Sequence, residues 1–191
     1  MIDTIPTKVK GFILDPVATF QASRDDGSKT VFSYFGVILF FNAILSACIA
    51  ALAFYSAIPS AVGMAMPILD FLSVLWRGIF LTLIGGIWIH FWVYILGGRN
   101  GIRQTMKVFM YGMTPSLLLG WIPVIGGVFV IWWIVLDILG LRELAGLSTG
   151  KAALVMIIGI LPVILFVFFV LLPAVPYSHS NIRNILAVPY F

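Results

Sequence analysis

The sequence predicts an all-α fold, a polytopic membrane helix bundle built from five hydrophobic segments. Hydrophobic residues make up 62% of the 191 residues and charged residues only 9%, whereas about a quarter of the residues of a soluble domain are charged. The mean hydropathy is +1.14, and uncharged runs recur at about the 20 residues that a spanning helix needs. So few charges cannot cover a soluble surface, which excludes a free cytoplasmic enzyme.

Three of the five segments are long enough to cross a bilayer as continuous helices. The first, 31–55, and the last, 152–172, contain no charged residue. The second, 71–96, is apolar except for Arg77 and His90. Helices are the predicted structure because a segment in lipid must satisfy its backbone polar groups internally.

The third and fourth segments are shorter and are separated by a turn at residues 121–123 that contains a proline. The two arms, 108–122 and 124–140, each reach roughly 22 to 26 Å, which is less than the hydrocarbon thickness of about 30 Å. They cross a thinned bilayer, extend into the preceding loop, or form a re-entrant hairpin protected by the other helices. We expect Pro115 and the turn to shape both arms.

The composition divides the chain into an N-terminal segment, a bundle and a C-terminal tail. These regions are 1–30, 31–173 and 174–191. In the N-terminal segment, Asp15 is suited to cap a helix and Pro16 to occupy its first position. This predicts a short amphipathic helix that either lies on the membrane surface or packs on the bundle. The polar run 24–29 is interpreted as a solvated turn without a role of its own.

The basic residues are distributed unevenly among the predicted loops. Nine lie on the side of the N-terminus and one on the opposite side, while Arg77 lies within the second segment. The nine are Lys8, Lys10, Arg24, Lys29, Arg99, Arg103, Lys107, Arg142 and Lys151, and the one is Arg183. Because basic loops stay in the cytoplasm, we predict a multi-pass protein of the cell membrane with a cytoplasmic N-terminus and an outer C-terminus.

Small residues recur at four-residue spacing in the first two segments, and such residues let helices approach closely in lipid. They are Ala43, Ala47 and Ala51 in the first segment and Gly78, Thr82 and Gly86 in the second. We therefore expect these two antiparallel helices to pack closely. Asn42 and Ser46 are interpreted as interhelical hydrogen-bonding groups, and Pro162 predicts a kink in the last segment.

The sequence contains no motif for catalysis, cofactor binding or metal binding, and no basic stripe that indicates nucleic acid. We therefore expect no enzymatic activity and no cofactor. The candidate site consists of ionisable residues at membrane depth, which are costly and often functional. Asp137 and His90 lie at similar predicted depth and would form a proton or ion site, with Arg77 as a further candidate. The alternatives are that Asp137 pairs with Arg142 or faces interfacial water, and that Arg77 reaches the headgroups.

The order and spacing of several residues resemble the YIP-domain family, five-span membrane proteins named for their interaction with Ypt/Rab GTPases. The residues that carry the resemblance are Pro16 and Phe20, then Tyr111 and Pro115 after a basic loop, and finally Gly140, Leu141 and Arg142. The resemblance covers nearly the whole chain. It implies five helices, a cytoplasmic N-terminus and an outer C-terminus, and the chain resembles the compact prokaryotic members.

Eukaryotic members of that family act in vesicle trafficking through a longer N-terminal region with an Asp-Leu-Tyr-Gly-Pro-like motif. The N-terminal segment here lacks that motif, so the resemblance does not extend to GTPase binding. We expect a non-enzymatic adaptor, organiser or shaper of the lipid bilayer, with a protein partner or a second copy of the chain. The alternative is a small oligomeric transporter or ion channel that uses Asp137 and His90.

Overall fold

The computed structural model describes residues 4–57, 61–122 and 126–166, and within these ranges the only regular elements are helices. This confirms the all-α prediction. The helices are α1 (Thr4–Leu14), α2 (Pro16–Ala22), α3 (Ser28–Ala57), α4 (Ala61–Ile95), α5 (Gly101–Gly112), α6 (Thr114–Leu119), α7 (Gly126–Ala145) and α8 (Thr149–Phe166).

Two compact units divide the chain, residues 1–156 and 157–191. The first unit holds α1 to α7 and the beginning of α8, and the architecture below is that of this unit. Of the second unit the structure describes 157–166, the end of α8, which contains Pro162. The C-terminal tail 174–191 and the last residues of the fifth predicted segment lie outside the described residues.

Helices α3 and α4 are long and apolar enough to cross a bilayer. Their apolar stretches, Ser28–Leu52 and Ala65–Ile95, have mean hydropathies of 2.4 and 1.8, yet only 28% and 22% of their most apolar parts are buried. Large side chains such as Trp76, Leu81 and Phe91 are more than half exposed. Apolar surface of this extent is stable in lipid and not in water, so these two helices agree with the first two predicted spans.

The helices in the third, fourth and fifth predicted segments do not combine the length, hydropathy and low charge of a complete span within the described residues. Thr149–Pro162 in α8 is apolar but shorter than a full span, while α5, α6 and α7 replace the two arms predicted at 108–140. The helix of the third segment begins at Gly101 and so extends into the preceding basic loop, which is one of the alternatives predicted for these arms, and it breaks at Met113. Five complete spans remain a prediction.

The break between α5 and α6 has a local chemical cause at Pro115, which lacks the N–H that would bond the carbonyl of Tyr111. The hydroxyl of Thr114 donates to that carbonyl oxygen at 2.6 Å instead. The chain thus ends one helix and starts another without leaving this buried acceptor unsatisfied. Pro115 has the role expected of it in the third segment, and residue 123 of the predicted turn lies outside the described residues.

Helix α4 begins ten residues before the predicted span, at Ala61, and includes Pro67 and Asp70. The prediction leaves residues 58–70 as a loop between the first two segments. Within a membrane helix, a proline and a carboxylate are unfavourable. The carboxylate is stabilised by the hydroxyl of Ser46 on α3, which donates to it at 2.5 Å. A polar pairing between helices therefore replaces the solvent that the loop prediction assumed.

Helices α3 and α4 pack antiparallel and form the most extensive helix pair of the unit. Gly78 lies against the side chain of Leu39, and Ala43 is fully buried. Farther along α4, the hydroxyl of Thr82 donates to the sulfur of Met113, which lies between α5 and α6, and Gly86 lies against the side chain of Met106 on α5. Ala47 and Ala51 line a shallow groove beside the start of α4.

Helices α5 and α6 together form an antiparallel hairpin with α7. Gly112, Ser116 and Gly120 lie at four-residue spacing on the α5–α6 side. Gly112 faces Asp137, and the Ser116 hydroxyl donates to a backbone carbonyl of α7 at 3.1 Å. Near the turn, a β-carbon on Gly126 would collide with the carbonyl oxygen of Gly120. Small residues thus allow the two sides to approach at backbone distance.

Two adjacent glycines test this close approach. We expect Gly126→Leu to destabilise the hairpin because its side chain meets rigid backbone, at a cost of about 1–3 kcal/mol in unfolding free energy. Gly127 is exposed and has open space around its β-carbon position, so Gly127→Leu is the matched control. Thermal unfolding of the purified protein in detergent, followed by circular dichroism, should show a lower midpoint for the first variant only. Equal midpoints for the two variants would contradict the proposed close contact.

Candidate functional site

Helix α2 begins as the sequence predicts. A carboxyl oxygen of Asp15 accepts from the backbone N–H of Ala18 at 3.3 Å, and Pro16 follows the cap directly. The difference is that a second helix, α1, precedes this cap, so that Phe12 belongs to α1 and Phe20 to α2. The sharp corner at Asp15 directs both aromatic side chains towards the bundle, and both are fully buried.

Aromatic rings from four helices meet beneath this corner. The ring of Phe12 contacts that of Phe20 edge-on at 4.9 Å and stacks on that of Tyr111 at 5.0 Å, measured between centroids. The ring of Tyr34 on α3 meets Tyr111 at 5.1 Å. Each such pair contributes about 0.5–1.5 kcal/mol beyond simple area burial. The N-terminal helices are therefore packed on the bundle, which is the second of the two alternatives for this segment.

A polar network closes over the aromatic rings. The hydroxyl of Tyr111 donates to the carboxylate of Asp26 at 2.5 Å, and Lys8 forms an ion pair with the same carboxylate. The ammonium of Lys8 also donates to the hydroxyl of Ser23 at 3.2 Å and lies 4.8 Å above the Tyr111 ring centroid. We call Lys8, Phe12, Phe20, Asp26 and Tyr111 the N-terminal clamp.

The charged groups in and beside the clamp are partly buried, and neighbouring groups of opposite charge or hydrogen-bond donors stabilise them. Burial disfavours the ionised carboxyl of Asp26, but the hydrogen bonds from Lys8 and Tyr111 outweigh it and lower the pKa of Asp26 below its ordinary value. Beside it, burial lowers the pKa of Lys107, an effect that the nearby carboxylates of Asp26 and Asp25 oppose. The ammonium of Lys107 donates to the carbonyl of Arg24 at 2.6 Å. The polar run 24–29 therefore contributes to the clamp, which corrects its interpretation as a solvated turn without a role.

The residues of the family resemblance converge on this place. A β-carbon on Gly140 would collide with the ring of Phe20, and Leu141 is fully buried. Next to them, Gln21 on α2 donates to Glu143 at 2.9 Å. This hydrogen bond, with the charge of Arg142 as a further contribution, lowers the pKa of Glu143. Motif residues that are more than 100 positions apart in the chain thus hold α2 against α7.

The clamp also extends to the break between α5 and α6. The hydroxyls of Tyr34 and Thr114 lie 3.0 Å apart and are hydrogen-bonded, and Pro115 is buried beside them. The docking of the N-terminal helices and the break in the third segment therefore share one buried hydrogen-bonded cluster.

Asp137 is 1% exposed and its carboxyl group faces Gly112. Neither carboxyl oxygen has a hydrogen bond within the described ranges, although the indole of Trp133 one turn earlier lies close enough to interact. The predicted pairing with Arg142 is not formed, because Arg142 pairs with Glu143 at 2.7 Å. Asp137 is thus buried between α5 and α7 rather than in contact with interfacial water.

The structure does not bring Asp137 and His90 together in a hydrogen bond. The Nδ1 atom of His90 lies 3.0 Å from the hydroxyl of Thr105, which joins α4 to α5. Arg77 is exposed on α4 and donates to the carbonyl of Ser73 at 3.3 Å. No group of three potential metal-ligating side chains occurs among residues 4–57, 61–122 and 126–166.

Arg77 lines a cavity of about 390 Å³ between α3, α4, α6 and α7. Asn42 lies in the same wall and donates to the carbonyl of Leu117 at 2.6 Å. Together with the Ser46 hydrogen bond to Asp70, this places Asn42 and Ser46 as links between helices. The polar groups of this cavity therefore bond mainly to the protein itself.

Sequence reasoning missed Lys8, Phe12, Tyr34 and Asp26 as members of the site. Their partners lie far away in the chain, so no local spacing indicates them. The spacing of Gly112, Ser116 and Gly120 is a signal that was available, because it follows the same small-residue rule as the stripes in the first two segments.

The charge of Asp26 can be tested directly. We expect Asp26→Asn to weaken the clamp, because charge-assisted hydrogen bonds contribute about 1.5–3 kcal/mol when buried and less when partly exposed. A spin label at Leu14→Cys in a Cys48→Ser background should then become more mobile in electron paramagnetic resonance spectra. Asp25→Asn is the matched control, since Asp25 is exposed and makes no ion pair with a described residue. Unchanged mobility in Asp26→Asn would show that the carboxylate does not hold the helices.

The clamp should also depend on pH in a defined direction. Because the folded-state pKa of Asp26 lies below its ordinary value of 3.8, its stabilisation is complete well above pH 3.8 and is lost as the pH falls through the lower folded value. The same label should therefore stay immobile from neutral pH to about pH 5 and become mobile in stronger acid. The Asp26→Asn variant should lack this component of the transition. A transition of equal size in both proteins would exclude Asp26 as its origin.

Comparison with known proteins agrees with this arrangement of motif residues. A family model described as the Yip1 domain matches residues 10–172. No curated protein and no solved structure matches the chain. The matched range runs from α1 through α8 and includes every residue of the N-terminal clamp except Lys8. The chain therefore belongs to the Yip1-domain family and is a membrane protein of that type.

Proposed function

We propose that this protein is a non-enzymatic adaptor or organiser of the cell membrane, with a cytoplasmic N-terminus and an outer C-terminus. The nine-to-one distribution of basic residues supports this orientation. In this orientation the N-terminal clamp lies at the cytoplasmic end of the bundle. The expected associates are the lipid bilayer and a protein partner or a second copy of the chain.

The observation that carries the proposal is the fixed position of α1 and α2. Phe12 and Phe20 are fully buried in the bundle, so the N-terminal segment is not a free tail. Its outer face presents Thr7, Lys10 and Leu14, with Leu14 69% exposed. A rigid helix face with an apolar residue beside a cation is suited to a protein partner, since little conformational entropy is lost when such a face binds.

This proposal predicts a partner that depends on the outer face of α1. Affinity purification of the full-length protein from native membranes in mild detergent, read by mass spectrometry, should recover one protein in stoichiometric amount. The double variant Lys10→Glu with Leu14→Asp should lose most of it, because both the charge and the apolar contact are removed. Lys29→Glu is the control, as Lys29 is exposed at the start of α3 and lies outside this face.

Two outcomes would count against the adaptor role. One is recovery of only the protein itself and lipid, which would favour a membrane-shaping role for the bundle alone. The other is a partner that the double variant and the control retain equally, which would place its binding surface elsewhere.

A second candidate function is a small oligomeric transporter or channel, and Asp137 is the observation that favours it. A carboxyl group that is 1% exposed and has no hydrogen bond to the residues that the structure describes is costly within a membrane helix. Transporters use such groups to take up a proton or a cation. His90 is less suited to share this role, because its hydrogen bond goes to Thr105.

The transport proposal predicts ion or proton flux in proteoliposomes that Asp137→Asn abolishes. The asparagine keeps the shape of the side chain and removes its charge, and Asp25→Asn is the control for a change of net charge. Flux that is equal in wild type and Asp137→Asn would exclude this site. The absence of flux over a broad panel of ions would favour the adaptor.

A further inference from the structure

Two cavities adjoin where α3, α4 and α5 meet. The first, of about 210 Å³, has Ser28, Arg103 and Lys107 in its wall. The second, of about 290 Å³, lies between α3 and α4 and continues along their apolar side chains. Phe32 and Met110 line both cavities, so the two form one groove, which we call the α3–α5 groove.

One end of the groove is cationic. Arg103 is exposed and its side chain has no hydrogen bond or ion pair with any residue in the described ranges. Lys107 is 8% exposed and uses one ammonium hydrogen to bond the carbonyl of Arg24, which leaves two for a ligand. Among the described residues that line the groove there is no carboxylate. The carboxylates of Asp25 and Asp26 interact with the charge of Lys107 but do not line the groove. Arg103 is therefore the main cation at this end, which is complementary to an anionic group.

The other end is apolar and lies along the membrane-capable helices. Ile79 and Phe40 line it and are about half exposed, while Thr82 and Gly36 are the small or polar exceptions in its wall. A peptide in such a groove would leave its backbone groups without partners, at several kcal/mol for each group. A hydrocarbon chain has no such groups and needs only space and apolar contact.

We propose that the α3–α5 groove binds one anionic phospholipid, with its phosphate beside Arg103 and Lys107 and one acyl chain along Phe32 and Gly36. Basic pockets between membrane helices favour anionic headgroups for the same electrostatic reason. A free phosphate ion would occupy only the cationic end and gain nothing from the apolar end. This inference goes beyond the proposed adaptor function and does not depend on it, because it concerns the intramembrane side of the bundle.

The glycine at position 36 permits a sharp test. A β-carbon at Gly36 meets no atom within 4 Å, so Gly36→Leu fills the groove without a clash in the protein. Leucine also favours the helix over glycine, and the variant should fold. Gly127→Leu is the matched control, since its β-carbon position is equally open but lies on α7 outside the groove.

A second pair of variants tests the binding of the lipid headgroup. Arg103→Gln removes the cation that has no partner among the described residues. Arg99→Gln removes a neighbouring cation whose guanidinium lies 5.0 Å from the ring centroid of Tyr94 and does not line the groove. Comparison of the two separates binding in the groove from the general attraction of anionic lipid to basic residues.

The experiment is native mass spectrometry of the full-length protein in detergent with added phosphatidylglycerol or phosphatidylcholine of identical acyl chains. We expect one phosphatidylglycerol to be retained in preference to phosphatidylcholine. Arg103→Gln should reduce this preference by about fivefold, which corresponds to ~1 kcal/mol per basic residue. Gly36→Leu should reduce retention of phosphatidylglycerol by at least as much, whereas Gly127→Leu and Arg99→Gln should retain it.

Three results would overturn the proposal. The first is equal retention of the two lipids by the wild-type protein. The second is retention of phosphatidylglycerol that neither Arg103→Gln nor Gly36→Leu reduces. The third is displacement of the lipid by millimolar inorganic phosphate together with no effect of Gly36→Leu, which would identify a simple anion site. These results do not depend on the purification of a protein partner. The lipid-binding proposal and the adaptor proposal can therefore fail independently of each other.

Discussion

Tyr111 lies where α1, α3 and α5 meet, and the arrangement of the N-terminal half depends on its two kinds of contact. Its ring packs against Phe12 and Tyr34, while its hydroxyl donates to Asp26. A tyrosine joins an apolar body to a polar tip, so it can be fully buried only where both are matched. The ion pair of Lys8 with Asp26 supplies the polar match, and the N-terminal helices supply the aromatic one. The aromatic and the polar contacts of Tyr111 therefore depend on each other.

Close approach of helices is the second constraint on the fold. Gly112 makes room for the side chain of Asp137, and Gly140 makes room for the ring of Phe20. In lipid, helices gain little from the hydrophobic effect and associate through such contacts and through hydrogen bonds. The small residues therefore decide which helices can touch, and the polar bonds of Ser116 and Asn42 add to the same contacts.

The bundle has two chemically different ends and an apolar middle. At the end that carries most basic residues, the clamp and the cationic part of the α3–α5 groove lie on neighbouring helices and share Lys107 between Arg24 and the groove wall. Between the ends, α3 and α4 expose apolar side chains over most of their length. The proposed partner surface and the proposed lipid site thus lie on different faces of the bundle.

The sequence by itself determined the class of the protein, because hydropathy and charge are sums over residues and need no partner. It also determined the cap at Asp15 and the first two apolar helices, and it indicated Pro115 as a residue that shapes the third segment, since these follow from neighbours within one or two turns. The family resemblance was visible for the same reason, as an order of residues along the chain. The extent of α4 was not visible in the sequence, because the hydrogen bond that stabilises Asp70 comes from Ser46 on another helix.

Only the tertiary structure decided what these residues contact. The polar run that holds Asp26 looked solvated because its partners, Lys8 and Tyr111, lie 18 and 85 positions away. Similar predicted depth suggested that Asp137 and His90 meet, but depth does not fix the direction in which a helix faces. His90 bonds Thr105, and Asp137 faces Gly112. Depth and composition are properties of a segment, whereas pairing depends on the rotation of each helix about its axis, which is set by the packing of all its neighbours at once.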